Sequence, residues 1–278
     1  METGGRASEL PFMFAAPSRL RRCALPLSLA SALAVSGPSG VASAPHQPTA
    51  DLPFAPGERM TFAGRVHVGV GGSGTIWVEG PVEIRGQSTW VLHSDIEGKL
   101  GPIRATVRNA SWLDPTAMAA LRYSSSERHL WKRHDDVVDI FPAEKRWASQ
   151  GGLEGTFDSE QPLDELSFLF YLRTLPLAPD SKLTLSRHFD QTRNPTVVRV
   201  VGREEIEVAA GRFRAIVVEM QVRDTRHYQG EGTIRIHLSD DQCRLLVRLE
   251  SKLPDAGVVT LALASYEGAR GACTARLP

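Results

Sequence analysis

Apolar side chains recur at every second position along most of the chain beyond Phe54. From Met60 to Val70, residues Met60, Phe62, Val66, Val68 and Val70 share one face, and Thr61, Arg65 and His67 share the other. Period-two alternation with one polar face is the mark of a half-buried antiparallel strand. The pattern returns in Ile216, Val218, Met220 and Val222, in Ile234, Ile236 and Leu238, in Leu245, Val247 and Leu249, and in Val259, Leu261 and Leu263. Shorter runs over Thr75–Glu79, Thr89–Ile96, Ile103–Asn109, Ala120–Ser124, Val137–Phe141, Lys182–Ser186 and Thr196–Val201 fill the intervals. Gly, Pro or Asp separates the runs, the signature of an all-β chain. The glycine-rich stretch Gly69–Gly74 reads as a hairpin turn.

One segment departs from this period. Leu163-Asp164-Glu165-Leu166-Ser167-Phe168-Leu169-Phe170-Tyr171-Leu172-Arg173 has no turn residue and is apolar almost all round past its first turn. Pro162 precedes it, Asp164 and Glu165 suit a positive helix N-terminus, and Pro176 stops the run. The spacing predicts one helix over about Leu163–Arg173, buried on most sides. The predicted fold is therefore mainly β: a large curved antiparallel sheet or incomplete β-barrel with one buried helix.

The first residues read as an address. Arg19, Arg21 and Arg22 precede an uncharged stretch from Cys23 to Val35, followed by small residues up to Ala44. A basic region, a short apolar core and a small-residue exit are the layout of a secretory signal peptide. The apolar run is 13 residues long, short of the roughly 20 that cross a bilayer. The expected organisation is a signal peptide over 1–43, a linker over 44–52, one β-rich domain over 53–267 and a tail over 268–278. The expected location is the periplasm or the exterior, with no transmembrane span in the mature chain.

The charges balance, with 32 basic and 32 acidic side chains. Removing residues 1–43 takes away four arginines and two glutamates, leaving 28 basic and 30 acidic side chains, a net of −2. Nucleic-acid binding needs a clustered positive excess and is not expected. Export changes the meaning of the cysteines, since Cys243 and Cys273 are the two that remain beyond the leader. In an oxidising compartment they are candidates for a disulfide; the alternative is two separate thiols.

Candidate chemistry is sparse. Gly69–Gly74 lacks the Gly-Lys-Ser/Thr ending of a phosphate loop, and no helix follows. No histidine pair has His-Glu-x-x-His spacing. His129 and His134, with Asp135 and Asp136, form the one His/Asp cluster. Residues five apart on a strand point to opposite faces, so shared ligation would need an intervening turn, and the segment reads as a solvated hairpin. Asp240-Asp241 reads as turn chemistry. Glu204-Glu205 lies by a strand start, with Arg203 or Arg212 as candidate partners. No metal, cofactor or catalytic residue is assigned, and an enzyme is not expected.

Three segments together resemble the bacterial envelope family DUF3108. They are Pro53-Phe54-Ala55-Pro56-Gly57-Glu58 before an alternating strand, the helical run Pro162–Arg173, and Val201–Phe213 continuing to Leu238-Ser239-Asp240-Asp241. The chain departs from the expected pattern at His237, where a tryptophan is expected, and at Leu246, where a proline is expected. The resemblance implies a secreted or periplasmic β-rich domain, similar in fold to the lipoprotein-carrier half-barrels, with no assigned active site.

Two functional readings follow. One is a non-enzymatic binding or carrier domain for a hydrophobic or lipidic envelope ligand. Its candidate ligand-binding residues are Phe168, Phe170, Tyr171 and Arg173. Arg173 and Arg203 are candidates to hold an anionic headgroup or, equally, to pair with Asp164, Glu165 or Glu204. The other is a structural module of the envelope that binds a protein or glycan partner. The sequence names no particular protein partner.

Overall fold

A computed structural model of the protein describes residues 52–66, 70–100, 103–129, 132–223, 231–253, 257–268 and 275–277. The leader and the linker up to residue 51 lie outside the described residues, as does Cys273. The first half of the chain forms β1 (Arg59–Val66), β2 (Val70–Ile84), β3 (Gln87–Leu100), β4 (Ile103–Asp114), β5 (Ala119–His129), β6 (Lys132–Phe141), β7 (Arg146–Ser149) and β8 (Glu154–Thr156). Helix α1 (Glu165–Leu172) follows, then β9 (Lys182–Leu185), β10 (Thr196–Val208), β11 (Gly211–Arg223), β12 (Glu231–Ser239), β13 (Leu246–Leu253), β14 (Gly257–Glu267) and β15 (Arg276–Leu277).

All ladders are antiparallel, as short connections between alternating strands require. The order is β8-β7-β6-β5-β4-β3-β2-β1-β14-β13-β12-β11-β10-β9, with β15 added beside β11. The first strand thus pairs with β14, and the sheet's two edges are β8 and β9. These edges flank α1 in sequence, so the connection that carries the helix runs from one edge of the open sheet to the other. Side chains from β1–β4, α1 and β10–β14 form a single apolar cluster. One cluster fed by both wings requires the sheet to curl around the helix. A smaller cluster of Ala120, Tyr123, Val138, Ile140, Trp147, Phe157 and Phe189 spans the seam, where Trp147 and Phe189 meet edge to face at 5.7 Å. This is the expected incomplete barrel with a buried helix.

The helix is two residues shorter at its start than its apolar run predicts. Leu163 is held in extended pairing with His188, its N–H bonded to the Arg187 carbonyl at 2.7 Å. Asp164 then caps α1: its Oδ1 accepts from the N–H groups of Leu166 and Ser167, both at 2.9 Å, and Ser167 Oγ accepts from the Asp164 N–H. This reciprocal capping box satisfies donors that would otherwise be buried unpaired. The glycine-rich stretch is also corrected. Gly71, Gly72 and Gly74 lie inside β2, paired with β1 and β3, while Gly69 lies outside the described residues. The glycines serve close strand approach, since a side chain at Gly72 would stand 2.5 Å from the Glu97 carbonyl oxygen.

Candidate functional site

The residues of the helix face are committed to packing. Phe168 and Phe170 are buried in the main cluster, and Phe170 meets Phe54 edge to face at 4.8 Å. Tyr171 is half-buried beneath the Arg187 guanidinium, 4.0 Å from its ring centre. Arg173 is buried and donates to both carboxylate oxygens of Glu58, at 2.6 and 2.9 Å, and to the carbonyls of Pro53 and Cys243. Its guanidinium also lies over the rings of Phe54 and Phe170. Of the two roles open to Arg173, the geometry favours the structural one, with Glu58 rather than Asp164, Glu165 or Glu204 as partner. Arg203 pairs with Asp240 at 2.7 Å, and Glu204 with His237 at 2.9 Å, so neither Arg203 nor Arg212 is the partner of Glu204. Asp241 is turn chemistry, accepting from the N–H groups of Cys243 and Arg244 and from Ser239 Oγ. Cys243 is disulfide-bonded, while Cys273, its sequence candidate, lies outside the described residues. Ala275 N–H bonds to Asp241 Oδ2 at 2.8 Å, which draws the tail close to that turn.

The candidate site lies elsewhere on the sheet's inner face. Residues directly opposed on neighbouring strands share a face, so the register defines rows across the sheet. One row runs Met60, Ile76, Ser94, Asn109, Ser125, Asp136 from β1 to β6. Its first two members belong to the apolar cluster; its last four are polar. Ser94, Asn109 and Ser125 are 1–3% exposed, and Asp136 is half-buried. Ser94 Oγ, Asn109 Nδ2 and Asp136 Oδ2 are buried without a hydrogen-bond partner in the protein. Tyr123 donates to Asn109 Oδ1 at 3.1 Å, which turns the amide's NH2 group away from the tyrosine. Burial pushes the Asp136 carboxyl above its ordinary range, with His134 and the Val137 N–H pulling the other way. The next row toward the hairpin tips ends in Glu127 opposite His134, whose Nε2 is likewise buried and unpartnered. The segment expected as a solvated hairpin thus turns polar groups inward.

The row's deep side meets the start of α1. Ser111 Oγ donates to Asp164 Oδ2 at 2.5 Å. Glu165 pairs with Arg193, with His188 Nε2 at 3.6 Å. Burial pushes the Asp164 carboxyl up to about 6, against the hydrogen bonds from Ser111 and the Ser167 N–H. Burial also pushes Glu165 up, but Arg193 and His188 outweigh it and hold that carboxyl at about 2. A pH prediction follows for Asp164→Asn, which keeps an acceptor for the helix N–H groups but cannot ionise. The ordinary aspartate value is 3.8 and the folded value about 6. The folded state therefore holds this proton more tightly, and the cost of the buried charge grows as pH rises between these values and is complete above the upper one. Relative to the native chain, Asp164→Asn should gain on the order of 2–3 kcal/mol between about pH 4 and pH 7, read from denaturant unfolding. A difference that stays constant with pH would mean that Asp164 ionises in the folded chain as it does unfolded.

Sequence reasoning missed Ser94, Asn109 and Ser125. The available signal was a polar residue at the inward phase of an otherwise apolar strand, as in Val107, Asn109, Ser111 and Leu113. A separate cleft of about 340 Å³ opens between Pro56–Arg59 and Trp77–Gly80. Beside it Trp77 stacks on His93 at 4.6 Å, and Arg59 lies over Trp77. Among the described residues, no helix is long and apolar enough to cross a membrane.

These features define a class: an open antiparallel barrel wrapped on one helix, with a mainly apolar inner face crossed by one row that turns polar from β3 to β6. The chain belongs to the DUF3108 family, proteins of unknown function, whose family model matches residues 59–264. It matches none of the curated proteins in sequence. The crystal structure of a beta-barrel-like protein of the domain of unknown function DUF1849 from Brucella abortus is similar, with TM-score 0.51 and 10% identity, covering 76% of this chain and 96% of that one. That likeness is one of fold. A protein with a YmcC-like fold from Bacteroides fragilis is more distant, with TM-score 0.34 and 12% identity over 78% of this chain and 98% of that one.

Proposed function

We propose that the protein is a non-enzymatic binding domain of the cell envelope, exported through its leader, that carries a hydrophobic or lipidic ligand with a polar end. One observation carries the reading: the inner-face row passes from Met60 and Ile76 to Ser94, Asn109, Ser125 and Asp136. A solid core gains nothing from buried polar atoms that lack partners; each costs about 1–3 kcal/mol. A ligand that brings its own donors and acceptors offsets that cost. Phe62 and Ile96, in the adjacent row of β1 and β3, are apolar and suit its hydrocarbon part. Exposure rises along β6 from Val138, fully buried, to half-buried Asp136 and His134, which puts the polar end of the row toward solvent.

Native mass spectrometry of the mature protein, purified without detergent from a periplasmic fraction, tests this reading. A reproducible adduct in the lipid mass range, recovered by organic extraction, is expected. A bare mass that persists after incubation with envelope lipids would overturn it. The outer cleft beside Trp77 favours the second reading, a module that binds a protein or glycan partner; partner capture lost on Trp77→Ala would support that one instead.

A further inference from the structure

We infer that the polar end of the inner face recognises a neutral polyhydroxyl group, the sugar of a glycolipid headgroup or of a free saccharide. The inference rests on reading this face as a ligand site and goes further by assigning the chemistry of the ligand's polar end. The unpartnered atoms are of mixed kind: Asn109 Nδ2 donates, Asp136 Oδ2 accepts, and Ser94 Oγ and His134 Nε2 can do either. A hydroxyl both donates and accepts, so a run of hydroxyls satisfies such a set in any order. Strands lie about 4.8 Å apart, so the row from Ser94 to Asp136 spans about 14 Å.

Charged headgroups fit less well. The row and its neighbour, which ends in Glu127 and His134, hold no Lys or Arg to receive a phosphate. Arg193, at the deep side, is already paired with Glu165. An ammonium group needs carboxylates with open oxygens. Asp136 supplies a single open oxygen, while Glu127 already has a partner.

The test is calorimetric titration of the mature protein with dodecyl maltoside, dodecyl phosphocholine and maltose, each detergent below its micelle concentration. Dodecyl maltoside is expected to bind at least about tenfold more tightly than the phosphocholine of equal chain length. Ser94→Ala should weaken maltoside binding about three- to tenfold, the worth of one hydrogen bond, and leave phosphocholine binding unchanged. Because Ser94 Oγ has no partner, the same variant should not lower the melting temperature, which separates lost recognition from lost folding. Equal binding of both detergents, untouched by Ser94→Ala, would overturn the sugar inference and leave the carrier reading standing. Maltose binding with no gain from the alkyl chain would keep the sugar and overturn the lipid carrier. Failure of all three probes would overturn both.

Discussion

Replacing Arg173 by methionine is expected to destabilise the protein by about 3–5 kcal/mol, the cost of leaving a buried charge without its counterion. Glu58 and Arg173 have side chains about 1% exposed and make a bidentate pair. Arg173 also serves the Pro53 and Cys243 carbonyls, so one guanidinium joins the start of the domain, the end of α1 and the turn after β12. Arg173→Lys should rescue little, because a point charge cannot reproduce a planar fork. The double variant Glu58→Met with Arg173→Met should be more stable than Arg173→Met alone, since the uncompensated carboxylate is gone. It should stay below the native chain, because two carbonyls remain unpaired. Denaturant unfolding measures all three. A loss under about 1 kcal/mol for Arg173→Met is what a solvent-exposed pair would give, and would show that this clasp is not buried.

Phe170→Ala is expected to cost about 3–5 kcal/mol, the transfer loss of a buried ring plus the cavity it leaves. Phe170 is 1% exposed and lies against Phe54 and the Arg173 guanidinium, so the cavity would open beside the buried ion pair. Phe170→Leu, which retains most of the volume, should cost clearly less. A melting temperature nearly unchanged in the alanine variant would mean that α1 does not fill the concave side of the sheet, and the packing described above would fail with it.

Glu58, Arg173 and the Asp241–Cys243 turn fall in or beside the three segments that carry the family resemblance, and in space they form one clasp. The resemblance is thus largely explained by folding. The polar row lies outside those segments.

Strand positions were legible in the sequence because alternation is local: Ile216, Val218 and Met220 show their shared face to any reader of the sequence. The helix was legible for the same reason, from an apolar run without turn residues between Pro162 and Pro176. Its first turn was not, because pairing with His188, 25 residues away, draws Leu163 out of the helix. Gly71, Gly72 and Gly74 read as a turn because glycine marks both turns and close strand approach, and only the neighbouring Glu97 backbone decides between them. The sequence by itself determined the strands and the helix. Tertiary structure alone decided that Arg173 meets Glu58, 115 residues away, and that Ser94, Asn109, Ser125 and Asp136 stand in one row. Both outcomes depend on strand register and on the curl of the sheet, which are set by packing among residues far apart in the chain and leave no local periodicity.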